Sequence, residues 1–303
     1  MRLVVAGTPE VALPTLDALV ASRHEVVGVL TRPDAPVGRG RRLKPSPVAA
    51  RAADLGIEVL TPATATDPAL LHRLGQLDID VCPVVAYGAL LPQAALDIPR
   101  HGWVNLHFSQ LPRWRGAAPV QHALMAGDAT IGTTCFRIVK QLDAGDVFEM
   151  SSQPLPDVTA GELLDELSRT GANQMLAALD AIEAGTTPTP QSPVGATYAP
   201  KISVADARLD FEAPAEKVHR RIMGCSPHPG AWCEVNGQRV KVLRSAPAGR
   251  SDLAPGRLAA TKRQVFVGAG GGSVELLEVQ AAGKRRMNAA DWARNGLDGA
   301  LLR

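Results

Sequence analysis

From residue 2 to residue 87 the chain alternates strand and helix signals without interruption. RLVVAG (2–7), HEVVGVLT (24–31), IEVL (57–60) and IDVCPVVAY (79–87) are short apolar runs of strand character. PEVALPTLDALVAS (9–22), SPVAARAADLG (46–56) and DPALLHRLGQL (67–77) carry helical periodicity between them. Strands joined by helix-length crossovers pair in parallel rather than as hairpins, so this half is expected to be an α/β fold on a parallel sheet.

A later run, WVNLHF (103–108), places an amide and an imidazole two residues apart. Side chains alternate along a strand, so Trp103, Asn105 and His107 share one face while Val104, Leu106 and Phe108 share the other. Asn and His are costly to bury without partners, which argues that they reach a strand end where the loop SQLPRWRGAAP opens a cleft. A second strand, read over residues 135–139, runs into a turn carrying Asp143, Gly145 and Asp146. If it lies beside the first in a parallel sheet, its exit turn brings Asp143 to the same edge. Amide, imidazole and carboxylate then converge. Asn donates hydrogen bonds to a developing oxyanion, His exchanges protons near neutral pH, and Asp stabilises imidazolium or accepts a proton through water. No Ser, Cys or Lys is placed as a covalent nucleophile, so direct attack of one substrate on a carbonyl-type carbon of another is expected.

Other glycine signals carry less. GTPE has one glycine of a dinucleotide fingerprint, which disfavours NAD. GAGGG (268–272) lies between two β-like runs and reads as a hairpin tip.

The chain's 303 residues, 46% of them hydrophobic, suffice for one large domain or two smaller ones. TAGE at residues 159–162 forms a capping box for a long helix that Gly171 is expected to bend or break. Residues 186–203, TTPTPQSPVGATYAPKIS, lack apolar periodicity and read as a linker. Beyond them AWCEV, QRVKVLRSA, GRLAA, QVFVGA and SVELLEVQ are spaced like a small antiparallel barrel. The expected division is a catalytic domain over 1–185, a linker over 186–203 and a β-barrel domain over 204–303.

Charge follows the same division. Residues 1–200 hold 15 Lys and Arg against 20 Asp and Glu, a net of −5, whereas residues 201–303 hold 17 against 10, a net of +7. A basic second domain favours a polyanionic partner. One exception in the acidic half is GRGRRLKPSP, where Arg39, Arg41, Arg42 and Lys44 fall within six residues. It fits neither helix nor strand pattern and reads as a mobile basic loop able to neutralise phosphates.

The longest charge-free apolar run, residues 81–96, has 16 residues and is broken by Pro83, Gly88 and Pro92, too short for a membrane helix. MRLVVAGTPE lacks the long apolar region of a signal peptide. Cys82, Cys135, Cys225 and Cys233 have no CxxC spacing, so reduced thiols in a cytoplasmic protein are expected. Cys225, His228 and Cys233 lack zinc spacing, and no metal is expected.

The motifs AGTPEVA, PDAPVGRGRRLKPSPV, VVAYGALLP, NLHFSQLPRWRGAAPVQ, LDAGD and AGKRRM resemble, in this order and spacing, the methionyl-tRNA formyltransferase family across essentially the whole chain. The shorter pair NxHxSxLPxxRG and LDxGD is common to the wider formyltetrahydrofolate-dependent enzymes. The resemblance implies a Rossmann-like domain that transfers formyl from 10-formyltetrahydrofolate, with no metal, to the amine of initiator methionyl-tRNA. It implies an OB-like C-terminal domain that holds tRNA, and a monomer is expected. Asn105, His107 and Asp143 match the catalytic trio, and Ser109, Gln110, Leu111 and Pro112 match the segment lining the folate site. The basic residues Arg39, Arg41, Arg42 and Lys44 fall where the family inserts a loop toward the acceptor stem. Gln110 stands where relatives commonly have Leu, Gln141 where they have Gly, and His228 where they have an aromatic. Other readings are a formyltransferase or hydrolase acting on a small amine or water, and a tRNA-binding protein without catalysis.

Overall fold

The computed structural model describes every residue except Gly38, Arg39, Arg41 and Asn295. Two compact units result. One holds residues 1–116, 131–153 and 164–198, the other residues 117–130, 154–163 and 199–303.

In chain order, strands β1 (Arg2–Gly7) and β2 (Glu25–Leu30) are followed by a separate ribbon of β3 (Ala35–Val37) and β4 (Arg42–Lys44). Then come β5 (Val59–Leu60), β6 (Cys82–Val85), β7 (Trp103–His107), the two-residue β8 (Thr130–Ile131), β9 (Thr134–Arg137), β10 (Val147–Met150) and β11 (Gln153–Pro154). Seven of them form one sheet in the order β10-β9-β7-β6-β1-β2-β5. The five strands from β5 to β7 run parallel, in the doubly wound order in which the chain switches direction between β1 and β6. β9 and β10 are antiparallel to their neighbours.

Local chemistry sets the helix starts. α1 (Leu13–Val20) follows β1 through a short 3₁₀ turn. α2 (Pro47–Asp54) and α3 (Pro68–Gln76) each open with Pro after a capping side chain: Ser46 accepts from Ala49 N at 3.0 Å and Asp67 from Ala69 N at 2.9 Å. Short α4 (Gln93–Leu96) offers the Ala95 carbonyl to the indole N–H of Trp103 at 2.8 Å. α5 (Pro119–Ala126) is followed by α6 (Ala160–Glu183). Its capping box forms as expected, with Thr159 N donating to Glu162 at 2.9 Å and Glu162 N donating to Thr159 Oγ1 at 3.3 Å.

Gly171 does not break α6, which runs unbroken for 24 residues. Its missing side chain serves packing instead. A Cβ there would stand 2.7 Å from Leu106 Cδ2, so the glycine lets the helix backbone lie against β7. β7 is buried on both faces, with Trp103, Val104, Leu106 and His107 all buried and Asn105 half-buried.

In the second unit, α7 (Ala215–Cys225) precedes β12 (Ala231–Val235), β13 (Gln238–Ala248), β14 (Leu258–Ala260), β15 (Val265–Ala269), β16 (Gly272–Ala281) and β17 (Met287–Asn288), and α8 (Ala289–Ala293) follows. The sheet order is β12-β13-β16-β15-β14, all antiparallel, with β17 on β16. Asn236 and Gly237 take the positive φ values of a tight hairpin between β12 and β13. GAGGG forms the expected hairpin tip between β15 and β16. Residues 300–303 bridge the two edge strands. Glu234 and Arg303 exchange backbone bonds at 2.7 and 2.9 Å, while Leu302 N donates to Gly256 at 2.8 Å. A sheet whose edges are joined this way is a small barrel. Its core includes Val240, Val242, Val267, Val274, Val279 and Leu302.

Among the described residues no helix is long and apolar enough to cross a membrane.

Candidate active site

Asn105 and His107 stand at the C-terminal end of β7, where β6 flanks the strand on one side and β9 on the other. β9 is antiparallel to β7, not parallel as expected, with His107 opposite Thr134 and Val104 opposite Arg137. Its exit therefore lies level with the wrong end of β7. The connection to β10 doubles back, and that return brings Asp143 Oδ2 to 4.0 Å from His107 Nδ1. Gly145 permits the doubling: a Cβ there would sit 1.8 Å from the Arg137 carbonyl oxygen.

His107 is held in one tautomer. Its Nε2–H donates to the Trp114 carbonyl at 2.8 Å, which leaves Nδ1 with a lone pair facing Asp143. Trp114 adopts a left-handed backbone, φ +61°, in presenting that carbonyl. The Phe136 ring meets the imidazole edge-on at 6.3 Å. Burial pushes the imidazole pKa below its ordinary 6.5, while the Asp143 charge and the Trp114 carbonyl act the other way. The resting ring is neutral at pH 7. Asp143, itself at φ +47°, accepts from Gly116 N at 2.7 Å through the oxygen nearest the imidazole.

The SQLP segment turns back on the sheet end. Ser109 Oγ donates to the Arg113 carbonyl at 2.7 Å, and Thr134 Oγ1 both donates to the Ser109 carbonyl at 2.7 Å and accepts from Leu111 N at 3.2 Å. Ser109 and Leu111 are buried, and Gln110 and Pro112 are half-buried. Thr134 pins this turn, a role that its position inside an apolar strand does not advertise.

Two further residues were not signalled as part of the site. Arg115 is buried and donates from Nη2 to Gln191 at 2.7 Å. Gln191 falls in the stretch read as a linker, yet residues 189–198 lie along the first unit, tied by Thr189 to Val147 and by Tyr198 to Arg115. Only the RG dipeptide hinted at Arg115, and nothing hinted at Gln191, because it sits amid Pro, Thr and Ser with no periodicity.

The basic run is partly a strand, contrary to expectation. Arg42 and Lys44 lie on β4, paired with Val37 and Ala35 of β3, and both are exposed. Arg42, Leu43 and Lys44 are all exposed, so β4 has no alternation of buried and exposed residues to read. Arg39 and Arg41 lie outside the described residues. The ribbon follows the C-terminal end of β2, which is three strands from β7 on the same sheet edge, roughly 14 Å across at ordinary strand spacing.

The four cysteines are free and buried. Burial pushes the thiols up, to about 11 for Cys225 and about 12 for Cys233, so they are protonated and poor nucleophiles near neutral pH. Among the described residues no three His, Cys, Asp or Glu side chains gather as a metal site. The arrangement offers an amide, a neutral imidazole and a carboxylate at the end of a parallel strand, suited to proton transfer and oxyanion stabilisation at a carbonyl carbon.

Comparison with known proteins agrees with this chemistry. The chain is 58% identical over 298 residues to a methionyl-tRNA formyltransferase of Streptomyces coelicolor, covering 97% of this chain and 96% of the relative. Its fold resembles HypX from Aquifex aeolicus, solved with tetrahydrofolic acid, at a TM-score of 0.70 and 19% identity over 98% of this chain and 47% of that one. A methionyl-tRNA formyltransferase from Clostridium thermocellum superposes at a TM-score of 0.60 and 15% identity, covering 82% and 94% of the two chains. Residues 1–179 match the formyl transferase family and residues 201–296 the formyl transferase C-terminal domain, and the chain belongs to that family.

Proposed function

We infer that the protein transfers the formyl group of 10-formyltetrahydrofolate to the α-amine of initiator methionyl-tRNA. The observation that carries this reading is 58% identity to a methionyl-tRNA formyltransferase across nearly the full length of both chains. The folate donor is supported by the family match and by tetrahydrofolic acid in the structural relative. Residues 1–185 would carry the reaction, residues 186–203 the connection and residues 204–303, with their net charge of +7, the hold on tRNA. A cytoplasmic monomer fits this role.

The attacking amine must be neutral. A free α-amine has a pKa of about 7.7 to 8.0, and esterification of the neighbouring carboxylate removes the negative charge that favours its protonation, so the neutral form is accessible near pH 7. Its nitrogen forms a bond to the formyl carbon, and the carbonyl pair becomes an oxyanion to which Asn105 donates. The proton shed by the amine passes to His107 Nδ1, which is unprotonated at rest and faces Asp143. The imidazolium so formed is stabilised by that carboxylate and adds its charge to the oxyanion's support. Collapse breaks the bond to the folate nitrogen, which leaves with the proton as tetrahydrofolate. Ser109, Gln110, Leu111 and Pro112 would shape the folate end.

The test is formyl transfer from 10-formyltetrahydrofolate to charged initiator tRNA, with a small amine and water as competing acceptors. Formylmethionyl-tRNA is the expected product. Donor hydrolysis or formylation of the small amine alone would overturn the acceptor assignment, and tRNA binding without turnover would overturn catalysis.

A further inference from the structure

The side chain of Gln191 is committed at both ends. Nε2 donates to the Asp143 carbonyl at 2.9 Å and to the Gly145 carbonyl at 2.8 Å, while Oε1 accepts from Arg115 Nη2 at 2.7 Å. The irregular segment that carries it is anchored on either side. Thr189 exchanges backbone bonds with Val147 at 2.7 and 2.8 Å, Thr197 Oγ1 accepts from Trp114 N at 2.9 Å, and the Thr197 carbonyl accepts from Arg115 N at 2.9 Å.

Each group that Gln191 grips is one the site cannot leave free. Asp143 holds a left-handed backbone that a residue with a Cβ disfavours, so its turn needs outside support to persist. Arg115 is 7% exposed and its Nε has no partner, which makes the Gln191 oxygen an important acceptor for a buried cation. Arg115 and Gly116 are consecutive, and Gly116 N donates to the Asp143 carboxylate. One amide therefore ties the backbone of the Asp143 turn to the chain segment that also holds its side chain.

We propose that Gln191 is a positioning residue for formyl transfer, fixing the Asp143 carboxylate opposite Nδ1 of His107 by clamping the Asp143 turn to Arg115. This rests on the formyl-transfer reading. Around the imidazole stand Asp143 from the turn, the Trp114 carbonyl from the loop after β7, and Thr134 and Phe136 from β9. Asp143 is the charged group among them that acts on the ring's titration. A carboxylate drifting away withdraws its support for the imidazolium, so the ring titrates at lower pH.

Gln191→Met in the full chain keeps length and bulk but removes the amide. The expected result is a fall in kcat of about 10-fold or more from loss of orientation, with KM for the folate donor changed by less than about twofold. The His107 ring titration, followed by NMR and assigned with His107→Gln, should move to lower pH. Gln191→Glu is the second variant: it preserves an acceptor for Arg115 while removing the donor to the two carbonyls, and it should lose kcat as well. A folded Gln191→Met with unmoved His107 titration overturns the proposal, as does wild-type kcat in either folded variant. The titration needs no substrate. Failure of the formyl-transfer reading would appear in the wild-type assay and is distinct from failure of the clamp.

Discussion

The Nε2–H of His107 is bonded to the carbonyl of Trp114 at 2.8 Å, and this contact decides which nitrogen keeps a lone pair for the proposed proton transfer. Were the proton on Nδ1, the ring would face Asp143 with a donor and Trp114 with a second lone pair. The left-handed bend at Trp114 instead puts an acceptor against Nε2 and leaves the lone pair on Nδ1, the nitrogen that would serve as base in the proposed reaction.

From this geometry, His107→Ala and Asn105→Ala should each lower kcat by ~10²–10³, the usual loss for one oxyanion donor, without weakening tRNA binding. Single-turnover assays alongside filter binding separate the two effects. Near-normal turnover in either folded variant removes that residue from the mechanism.

Two buried histidines should make stability fall in mild acid. Burial lowers the pKa of His107, and burial together with the Met1 ammonium lowers that of His24, from the ordinary 6.5. A folded-state pKa below the unfolded value means that the unfolded chain binds more protons. The stability is fully present above about pH 6.5 and is lost as pH falls from there toward the folded values. Urea midpoints at about pH 7.5 and about pH 5.5 should differ by less in His107→Gln than in the wild type. An equal difference in both would mean that the buried ring does not contribute.

The parallel strands were legible because each combines a short apolar run with turn residues, and the TAGE capping box at Thr159 announced its helix by capping chemistry. Asn105 and His107 were legible because polar residues at alternate positions of an apolar strand need an explanation. Asp143 was found for a partly mistaken reason: its turn arrives by doubling back from an antiparallel strand, and strand direction leaves no trace in periodicity. Gln191 and Thr134 were invisible, because their importance lies in which distant carbonyls they reach. Gly171, expected to bend or break α6, does not break it; the contact that requires the glycine, with Leu106, is formed only by the tertiary fold and so left no mark in the sequence.

That contact gives a prediction of unusual sign. Gly→Ala inside a helix ordinarily stabilises by about 1 kcal/mol. Here the new methyl would meet the buried Leu106 side chain at 2.7 Å, and crowding of this kind costs ~1–3 kcal/mol. Gly171→Ala should therefore be neutral to destabilising by roughly 1–2 kcal/mol in urea titrations. Combined with Leu106→Ala it should show positive coupling, because the smaller side chain makes room. Plain additivity would deny the contact.

Leu302 is 2% exposed in the barrel core, beside the backbone bonds that join the two edge strands. Leu302→Ala should cost ~2–5 kcal/mol, the range for truncating a buried leucine. Deleting residues 301–303 should cost more, since the bonds of Leu302 and Arg303 are lost as well. Thermal melts of the full chain should resolve both changes. Unchanged melting after the deletion would show that the barrel does not depend on this closure.

Arg42 and Lys44 are two residues apart on β4, so they project from the same face of the ribbon, with exposed Leu43 on the other. Cations on a paired, exposed strand suit phosphate contacts, which set affinity and orientation without reading bases. Arg42→Ala and Lys44→Ala should each raise KM for tRNA and reduce the steepness of log affinity against log salt by about 0.9, the slope carried by one neutralised phosphate. Initiator tRNA and a variant with a strong first base pair should lose affinity by the same factor. At low salt the lost binding should return and kcat should match the wild type. If Arg42→Ala instead lowers kcat for initiator tRNA while sparing the other tRNA, the ribbon reads the acceptor end itself and is not an electrostatic tether.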